Sequence, residues 1–227
     1  MADELTTNAA TSAAEPFPEH LLPFSLPADQ RAALFSAYAE PPRAYHHIGH
    51  VGEVLRHYAM VAQSTGWRHP HEVAWAVLYH DAIYRPGRKD NETESARLAL
   101  SHLDQWPAAV QLDRARVVAL IELTAQHGRL QRENLLAAAG AAADADDTLH
   151  FLDCDMAILG APQPQFADYD RAIAEEYRAV PRWLYRRKRR QFFRMLLDSE
   201  RIFLSDLFHD GFEAVARDNL ERSLAAG

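Results

Sequence analysis

Apolar residues recur at three- and four-residue steps along most of the chain, which is the period of amphipathic α-helices. The clearest example is the segment Tyr45–Ser64, where Val51, Leu55 and Tyr58 would lie on one face. No segment alternates apolar and polar residues between hairpin turns, so no strand is predicted. The pattern therefore predicts an all-α fold.

Prolines, glycines and capping residues set the ends of the predicted helices. The helices are expected at Ala28–Ala39, Tyr45–Ser64, His71–Tyr84, Asn91–Gln105, Arg114–Gln126, Leu149–Leu159, Phe166–Val180, Arg182–Ser199 and Leu207–Leu224. Arg85–Asp90 is predicted to be a polar loop, and the Ala- and Asp-rich segment Gly140–Asp147 a connector. Residues 1–20 begin with a stretch that lacks an apolar period and are predicted to be a disordered tail. Residues 21–227 would then form one helical domain.

Net charge, cysteine content and hydropathy indicate which partners and which cellular location are expected. A formal net charge of −8 argues against a nucleic-acid partner, because such proteins usually carry a basic surplus. A single cysteine, Cys154, cannot form an internal disulfide, which fits a reducing cytoplasm. No signal peptide and no apolar run of about 20 residues is visible, so a cytoplasmic location without membrane contact is expected.

The dipeptide His80-Asp81 ends the apolar run VAWAVLYH. A charged aspartate is costly to bury there unless a cation or several donors compensate it. Adjacent residues on a helix point about 100° apart, so both side chains reach one metal ion only near a helix end. The loop Arg85–Asp90 follows closely enough to supply that end. The alternative is an ordinary surface pair at a helix C-terminus.

Further histidines and acids lie in apolar surroundings. His46 and His50 are four residues apart on a predicted helix and would share a face. Asp153 and Asp155 lie inside the apolar segment FLDCDMAIL, where acids need cations or donors. Imidazole nitrogens with carboxylate oxygens suit Mn, Ni, Co, Fe or Zn rather than Ca, and Mg stays open. A site of this kind with positions left for water is typical of catalysis.

The order His50, His80-Asp81, Asp155 resembles the H…HD…D pattern of the HD superfamily of metal-dependent phosphohydrolases. The elements RAYHHIGH, AVLYHDAIY, DNETES, LTAQH and FLDCDMAILG are similar to a bacterial branch of that superfamily without an assigned substrate. The resemblance runs from about Ala28 to the C-terminus and implies an HD-type helical bundle.

The resemblance implies that one divalent metal ion is bound by His50, His80, Asp81 and Asp155. Asp155 is preferred to Asp153 as the last ligand because the superfamily's last aspartate commonly precedes a short apolar run. Asp153 would face nearly the opposite way on a helix. The choice between the two aspartates stays open in the sequence.

Other polar residues are candidates for contacts with the substrate or the reacting groups. His46, Asn91 and Asp153 are expected to bind substrate, with a hydrogen-bonded core histidine as the alternative for His46. Asp81 would orient a water molecule, and Glu92 or His127 would assist proton transfer. The alternatives are that Glu92 stabilises the N-terminus of its helix and that His127 caps a helix end.

The expected function is hydrolysis of a phosphoester by a metal-activated water, with a nucleotide or a small phosphorylated metabolite as substrate. The rival functions are an HD-type iron oxygenase and a non-catalytic module that binds metal or nucleotide. A homodimer stays open. The basic segment Arg182–Arg194 is interpreted as an amphipathic helix with solvated or paired arginines, and phosphate binding is its alternative.

Overall fold

The computed structural model of the chain describes residues 15–108, 110–138 and 142–226, the side chains of residues 142–144 excepted. All regular structure in these ranges is helical, so the predicted all-α class is confirmed. The α-helices are α1 (Ala28–Tyr38), α2 (Ile48–Gln63), α3 (Pro70–Tyr79), α4 (Asn91–Gln105), α5 (Arg114–Leu123), α6 (Arg132–Ala138), α7 (Ala142–Met156), α8 (Gln163–Glu176), α9 (Arg182–Asp198) and α10 (Asp206–Ala226). Short 3₁₀-helices span Glu19–Leu21, Thr124–Gln126 and Ala157–Gly160.

Helix α3 lies at the centre of the bundle. Every residue from Val73 to Tyr79 is buried, which explains why its sequence is apolar on all sides. Helices α2, α4, α5 and α7 pack against it. Helix α10 packs mainly on the 3₁₀-helix Ala157–Gly160 and on α9. The C-terminus of α3 and the C-terminus of α7 therefore lie in a rigid environment.

The predicted tail is partly packed. Residues 1–14 lie outside the described residues. Phe17 is buried, and its ring meets that of Phe35 edge to face with 5.2 Å between centroids. The packed domain therefore begins before residue 21, because an aromatic side chain there adds to the core.

The connector predicted at Gly140–Asp147 is helical from residue 142 onward. Alanine has the highest helix propensity, and its abundance here outweighs the lack of an apolar period. Asp147 is buried and accepts hydrogen bonds from the backbone N–H groups of Arg68 and His69, just before α3 begins. Helix α6 was not predicted, since none of its residues is buried to give a pattern.

Helix α2 begins at Ile48, later than the predicted Tyr45. His47 is its N-cap, and its imidazole accepts a hydrogen bond of 2.9 Å from the Gly49 N–H. His46 therefore lies in the turn before the helix, and the prediction that it shares a helical face with His50 is wrong.

None of the helices in the described ranges combines the length and apolar character needed to cross a bilayer.

Candidate metal centre

His80 occupies the point where α3 ends. It is the C-cap residue, and its backbone N–H still donates to the Ala76 carbonyl at 2.9 Å. Its Nδ1 lies 3.0 Å from the Val77 carbonyl oxygen. A carbonyl can only accept, so Nδ1 carries a proton, and Nε2 is the ring nitrogen that can offer a lone pair to a metal ion. The predicted helix end is thus present, and it lets Asp81 turn toward the same point.

Four side chains from three parts of the chain converge there. His50 comes from the first turn of α2, His80 and Asp81 from the end of α3, and Asp155 from the last turn of α7. One donor atom of each lies within 4.8 Å of the others. Both histidines are buried and both carboxylates are nearly so. These are the four predicted ligands, and we call them the HHDD cluster.

The separations within the HHDD cluster suit a single ion. His50 Nε2 lies 3.0 Å from Asp155 Oδ1 and 3.7 Å from Asp81 Oδ2. His80 Nε2 lies 3.3 Å from Asp81 Oδ2, 3.4 Å from Asp155 Oδ1 and 3.1 Å from His50 Nε2. An ion with bonds of about 2.1 Å holds neighbouring donors about 3 Å apart. The cluster could therefore hold a metal ion.

The electrostatics of the cluster favour a cation. Burial alone would lower the pKa of His80, but Asp81 and Asp155 outweigh burial and raise that pKa well above 6.5. Burial opposes ionisation of Asp155, yet His80 and the hydrogen bonds from His127 and His50 hold its pKa well below 3.8. A divalent ion would supply the positive charge that both carboxylates require.

A buried polar atom without a partner also marks the cluster. Nδ1 of His50 is buried and has no hydrogen-bond partner among the described residues. An orphaned ring nitrogen is unusual in a packed core, where such a group costs about 1–3 kcal/mol. The ring of Tyr45 packs against the imidazole of His50, with 4.7 Å between the two centroids. Packing against Tyr45, rather than a hydrogen bond at Nδ1, therefore supports the His50 ring on this side.

Two further histidines flank the HHDD cluster. His127 follows the 3₁₀-helix Thr124–Gln126, and its Nε2 lies 2.8 Å from Asp155 Oδ2. His46 places Nδ1 2.7 Å from Glu176 Oε2 and Nε2 3.9 Å from Asp81 Oδ2. His127 is therefore hydrogen-bonded to Asp155, and His46 lies near Asp81, although neither histidine belongs to the HHDD cluster.

Glu176 organises the turn before α2, and the sequence analysis assigned it no role. Its Oε1 accepts hydrogen bonds of 2.8, 2.8 and 2.9 Å from the backbone N–H groups of Ala44, Tyr45 and His46. Burial opposes ionisation, but His46 and these N–H groups hold the pKa of Glu176 at about 2. Its only sequence signal is the charged pair Glu175-Glu176 beside Tyr177 at the end of a predicted helix.

Arg43 fixes the backbone around Asp81. Its Nη1 donates to the carbonyl oxygens of His46 and Asp81 at 2.5 and 2.9 Å, and its Nη2 donates to that of Ala82 at 2.8 Å. The guanidinium also lies over the ring of Tyr38, 5.0 Å from its centroid. Arg43 positions the Asp81 backbone and was not singled out from the sequence.

Asn91 and Ser95 secure the segment that follows. We expected Asn91 to bind substrate, but its amide exchanges two hydrogen bonds of 3.0 Å with the backbone of Arg85. Ser95 Oγ accepts from the Ile83 N–H at 3.0 Å and donates to the Ile83 carbonyl at 3.2 Å. Both side chains are buried, so the motif DNETES holds the loop behind Asp81.

In the described part of the chain, neither Asp153 nor Glu92 makes a hydrogen bond or an ion pair with the cluster. Asp153 is 1% exposed, and its carboxylate accepts hydrogen bonds from Leu204 N, Ser205 N and Ser205 Oγ at 2.8, 2.7 and 2.6 Å. Burial raises its pKa to about 7 against the effect of these donors. Asp153 therefore supports the start of α10, and a contact of Asp153 with substrate stays a prediction. Glu92 is half-buried in the first turn of α4, and no described hydrogen bond or ion pair joins it to the cluster.

A cavity of about 710 Å³, hereafter the central cavity, opens beside the HHDD cluster. Asp155, His46 and His127 reach its wall. Much of the remaining wall is aromatic: Tyr45, Tyr84, Tyr169, Tyr177, Tyr185 and Phe192. This volume is in the range of sites for small organic ligands. The cluster is therefore open to a molecule much larger than inorganic phosphate.

Comparison of the chain with known protein families, with curated proteins and with solved structures returned no match.

Proposed function

We propose that the chain is a metal-dependent phosphohydrolase of the HD type, which cleaves a phosphoester of a nucleotide or small phosphorylated metabolite. The observation that carries the proposal is the convergence of His50, His80, Asp81 and Asp155 beside the central cavity, whose wall Asp155 reaches. A buried four-ligand cluster without a neighbouring cavity would favour a structural ion, whereas this cluster borders space for a substrate.

Hydrolysis requires an activated water molecule and groups that transfer protons, and side chains around the cluster are placed for these roles. A divalent ion bound there would acidify a water molecule and offset charge on phosphoryl oxygens. His127 hydrogen-bonds to Asp155 and reaches the cavity, so it is placed to accept or donate a proton beside the reacting groups. His46 faces Asp81 on the other side, with its Nδ1 held by Glu176. Glu92 has no part in this proposal.

The experiment that tests the proposal is phosphate release from a panel of nucleotides and phosphometabolites. The purified chain is supplied with Mn²⁺, Mg²⁺, Co²⁺, Ni²⁺, Fe²⁺ or Zn²⁺ in turn. Asp155→Asn removes a cluster carboxylate at nearly constant volume. Asp168→Asn makes the same chemical change at an exposed carboxylate outside the cluster and serves as control.

Metal-dependent release by the wild type and by Asp168→Asn, with a loss of at least about 100-fold in Asp155→Asn, is expected. No release by any protein with any metal would contradict the proposal. In that case, uptake of oxygen with a bound iron would identify the oxygenase alternative. Binding of a nucleotide without turnover would identify a non-catalytic module.

A further inference from the structure

A second groove adjoins the central cavity. Its volume is about 530 Å³, and Tyr177, Tyr185 and Arg189 belong to the walls of both. We call it the arginine groove, because its lining includes Arg171, Arg178, Arg182, Arg186, Arg189 and Arg190. The net charge of the chain is −8, so a cluster of six guanidinium groups in one groove is a marked local departure from its overall charge.

Part of this positive charge is compensated. Arg189 Nε donates to Asp170 Oδ1 at 2.9 Å, and Arg178 pairs with Glu175 at 2.6 Å. Arg171 pairs with Asp168, which lies one helical turn before it. These three arginines therefore satisfy acids on α8.

The other three arginines have no acidic partner in the described part of the chain. Arg182 and Arg186 lie one turn apart on α9, are exposed, and make no described hydrogen bond or ion pair. Arg190 donates to a backbone carbonyl, that of Leu224, at 2.9 Å. The groove thus keeps a surplus of positive charge along one face of α9, next to the central cavity.

Arg189 forms the boundary between the two spaces. Its guanidinium is buried beneath the rings of Tyr169 and Phe193, with Cζ 4.9 and 4.4 Å from their centroids. Its Nη2 atom is buried and has no hydrogen-bond partner among the described residues. A buried charged donor that lacks a partner is unfavourable, so the group is suited to gain one when an anion binds.

Aromatic contacts join this boundary to the HHDD cluster. The ring of Tyr45 lies 4.7 Å from that of His50 and 4.7 Å from that of Tyr169, over which Arg189 stacks. The cluster and the guanidinium are therefore ends of one short series of ring contacts. A nucleotide that reached both ends would lay its base against the aromatic wall of the central cavity.

We propose that the arginine groove is a second anion-binding subsite of the substrate, which is a nucleotide-like compound with two separate phosphate groups. One phosphate would lie at the HHDD cluster and be hydrolysed, and the other would be held by Arg182, Arg186 and Arg189. Guanidinium groups bind phosphate oxygens through paired N–H donors, which matches this role. Hydrolysis of the first phosphate rests on the proposed function, but binding of the second does not.

The test measures binding of matched probes by calorimetry to the metal-loaded chain. Adenosine and guanosine 5′-monophosphates are compared with the corresponding 3′,5′-bisphosphates. The variant Arg182→Ala/Arg186→Ala removes two unpaired arginines of the groove. The variant Arg187→Ala/Arg194→Ala removes two exposed arginines of the same helix that line neither space, and so controls for net charge. Arg189→Met is a third variant, with its fold checked by circular dichroism.

The bisphosphate of at least one nucleoside is expected to bind about tenfold more tightly than its monophosphate. This preference should disappear in Arg182→Ala/Arg186→Ala and persist in Arg187→Ala/Arg194→Ala, with metal content unchanged in both. Equal affinity for both members of each pair would overturn the proposal. An equal loss of preference in the two double variants would also overturn it, because the preference would then depend on the net charge of the chain rather than on the groove.

The two proposals fail in different ways. Bisphosphate binding that depends on Arg182 and Arg186, but without phosphate release, would support the subsite and reject the phosphohydrolase. Metal-dependent hydrolysis with the same KM for monophosphates and bisphosphates would support the phosphohydrolase and reject the subsite.

Discussion

The carboxylate of Glu176 binds three consecutive backbone N–H groups and the Nδ1 atom of His46. Consecutive N–H groups that converge on one oxygen form an anion-binding concavity, here filled by the protein's own side chain. Because the same carboxylate holds His46, one residue fixes both the turn before α2 and the imidazole that faces Asp81. The position of His46 thus depends on a residue distant in the sequence.

We predict that Glu176→Gln lowers the free energy of unfolding by about 1–3 kcal/mol at pH 7, because an amide replaces a charged acceptor of several donors. The folded pKa of about 2 lies below the reference value of 4.5. The carboxylate therefore stabilises the fold above pH 4.5, and this contribution is lost as the pH falls toward 2.

Denaturant titrations of both proteins between pH 7 and 3 provide the measurement. The difference between them should shrink below pH 4.5. Glu175→Gln, at an exposed neighbour, should behave as the wild type. A difference that stays constant down to pH 3 would show that the charge of Glu176 contributes nothing.

At the level of single residues, the sequence indicated groups whose chemistry is unusual for their surroundings. His80, Asp81 and Asp155 stand out because acids and imidazoles interrupt apolar segments. Arg43 and Glu176 do not stand out, since they bind backbone atoms of segments that only the tertiary fold brings near. The same reason explains Asp153, whose apolar setting resembled that of Asp155 but whose partners are N–H groups at the start of α10.

Among the elements, the loop after α3 depends on α4 for its shape. Ser95 and Asn91 are one turn apart on α4 and bind the backbone of Ile83 and Arg85. Arg43 binds the carbonyl groups immediately before them. The peptide that carries Asp81 is thus tied at successive residues, which limits its motion around the HHDD cluster.

We predict that Ser95→Ala destabilises the chain by about 1–3 kcal/mol, because it leaves a partly buried N–H and a partly buried carbonyl of Ile83 without this partner. It should also weaken metal binding, although Ser95 touches no ligand. The measurements are thermal unfolding and the metal affinity by calorimetry. Ser101→Ala, at an exposed site on the same helix, should change neither. Unchanged metal affinity in Ser95→Ala would mean that the loop keeps its shape without α4.

The accuracy of the predicted elements followed the strength of their patterns. Helices α4 and α9 were each predicted to within one residue at both ends, because both have clear amphipathic faces and definite ends. The start of α2 was misplaced, since the turn at Tyr45 depends on the distant Glu176. The segment from residue 142 was not predicted as a helix because it is rich in alanine. Alanine has a high helix propensity but gives no periodic pattern of apolar and polar residues.

For the whole molecule, a metal ion bound by the HHDD cluster would stabilise the fold, because only the folded chain holds the four side chains together. We predict that saturation with a suitable divalent ion, at about 100 times its dissociation constant, adds about 2.7 kcal/mol to the free energy of unfolding. For a chain of this length that corresponds to a rise in Tm of about 5–10 °C. The rise should be absent in Asp155→Asn and present in Asp168→Asn. Scanning calorimetry of chelator-treated protein with and without added ion is the measurement, and an equal rise in both variants would place the ion elsewhere.

Acid should destabilise the fold at a half-buried histidine of α2. His57 packs against the rings of Phe208 and Phe212, and burial lowers its pKa from 6.5 to about 4. The unfolded chain therefore takes up a proton below pH 6.5 before the folded chain does, so stability falls as the pH drops from 6.5 to 4. We predict that the free energy of unfolding of the wild type, measured relative to that of His57→Gln, falls by about 2 kcal/mol over this window. The comparison with the variant removes the effects of other titrating groups, such as Asp153, whose raised pKa acts in the opposite direction. Urea titrations at pH 7, 5.5 and 4 test this; parallel curves for the two proteins would show that His57 titrates normally.

The ligands of the HHDD cluster are far apart in the chain, from the first turn of α2 to the last turn of α7. During synthesis, Asp155 emerges from the ribosome long after His50, and the three helical ends meet only when α2, α3 and α7 have docked. Closing loops of this length is slow, so the cluster assembles late in folding. Capture of a metal ion would consequently report on a completed bundle, because a nascent or truncated chain that lacks α7 would offer an ion only a partial and loosely held set of donors.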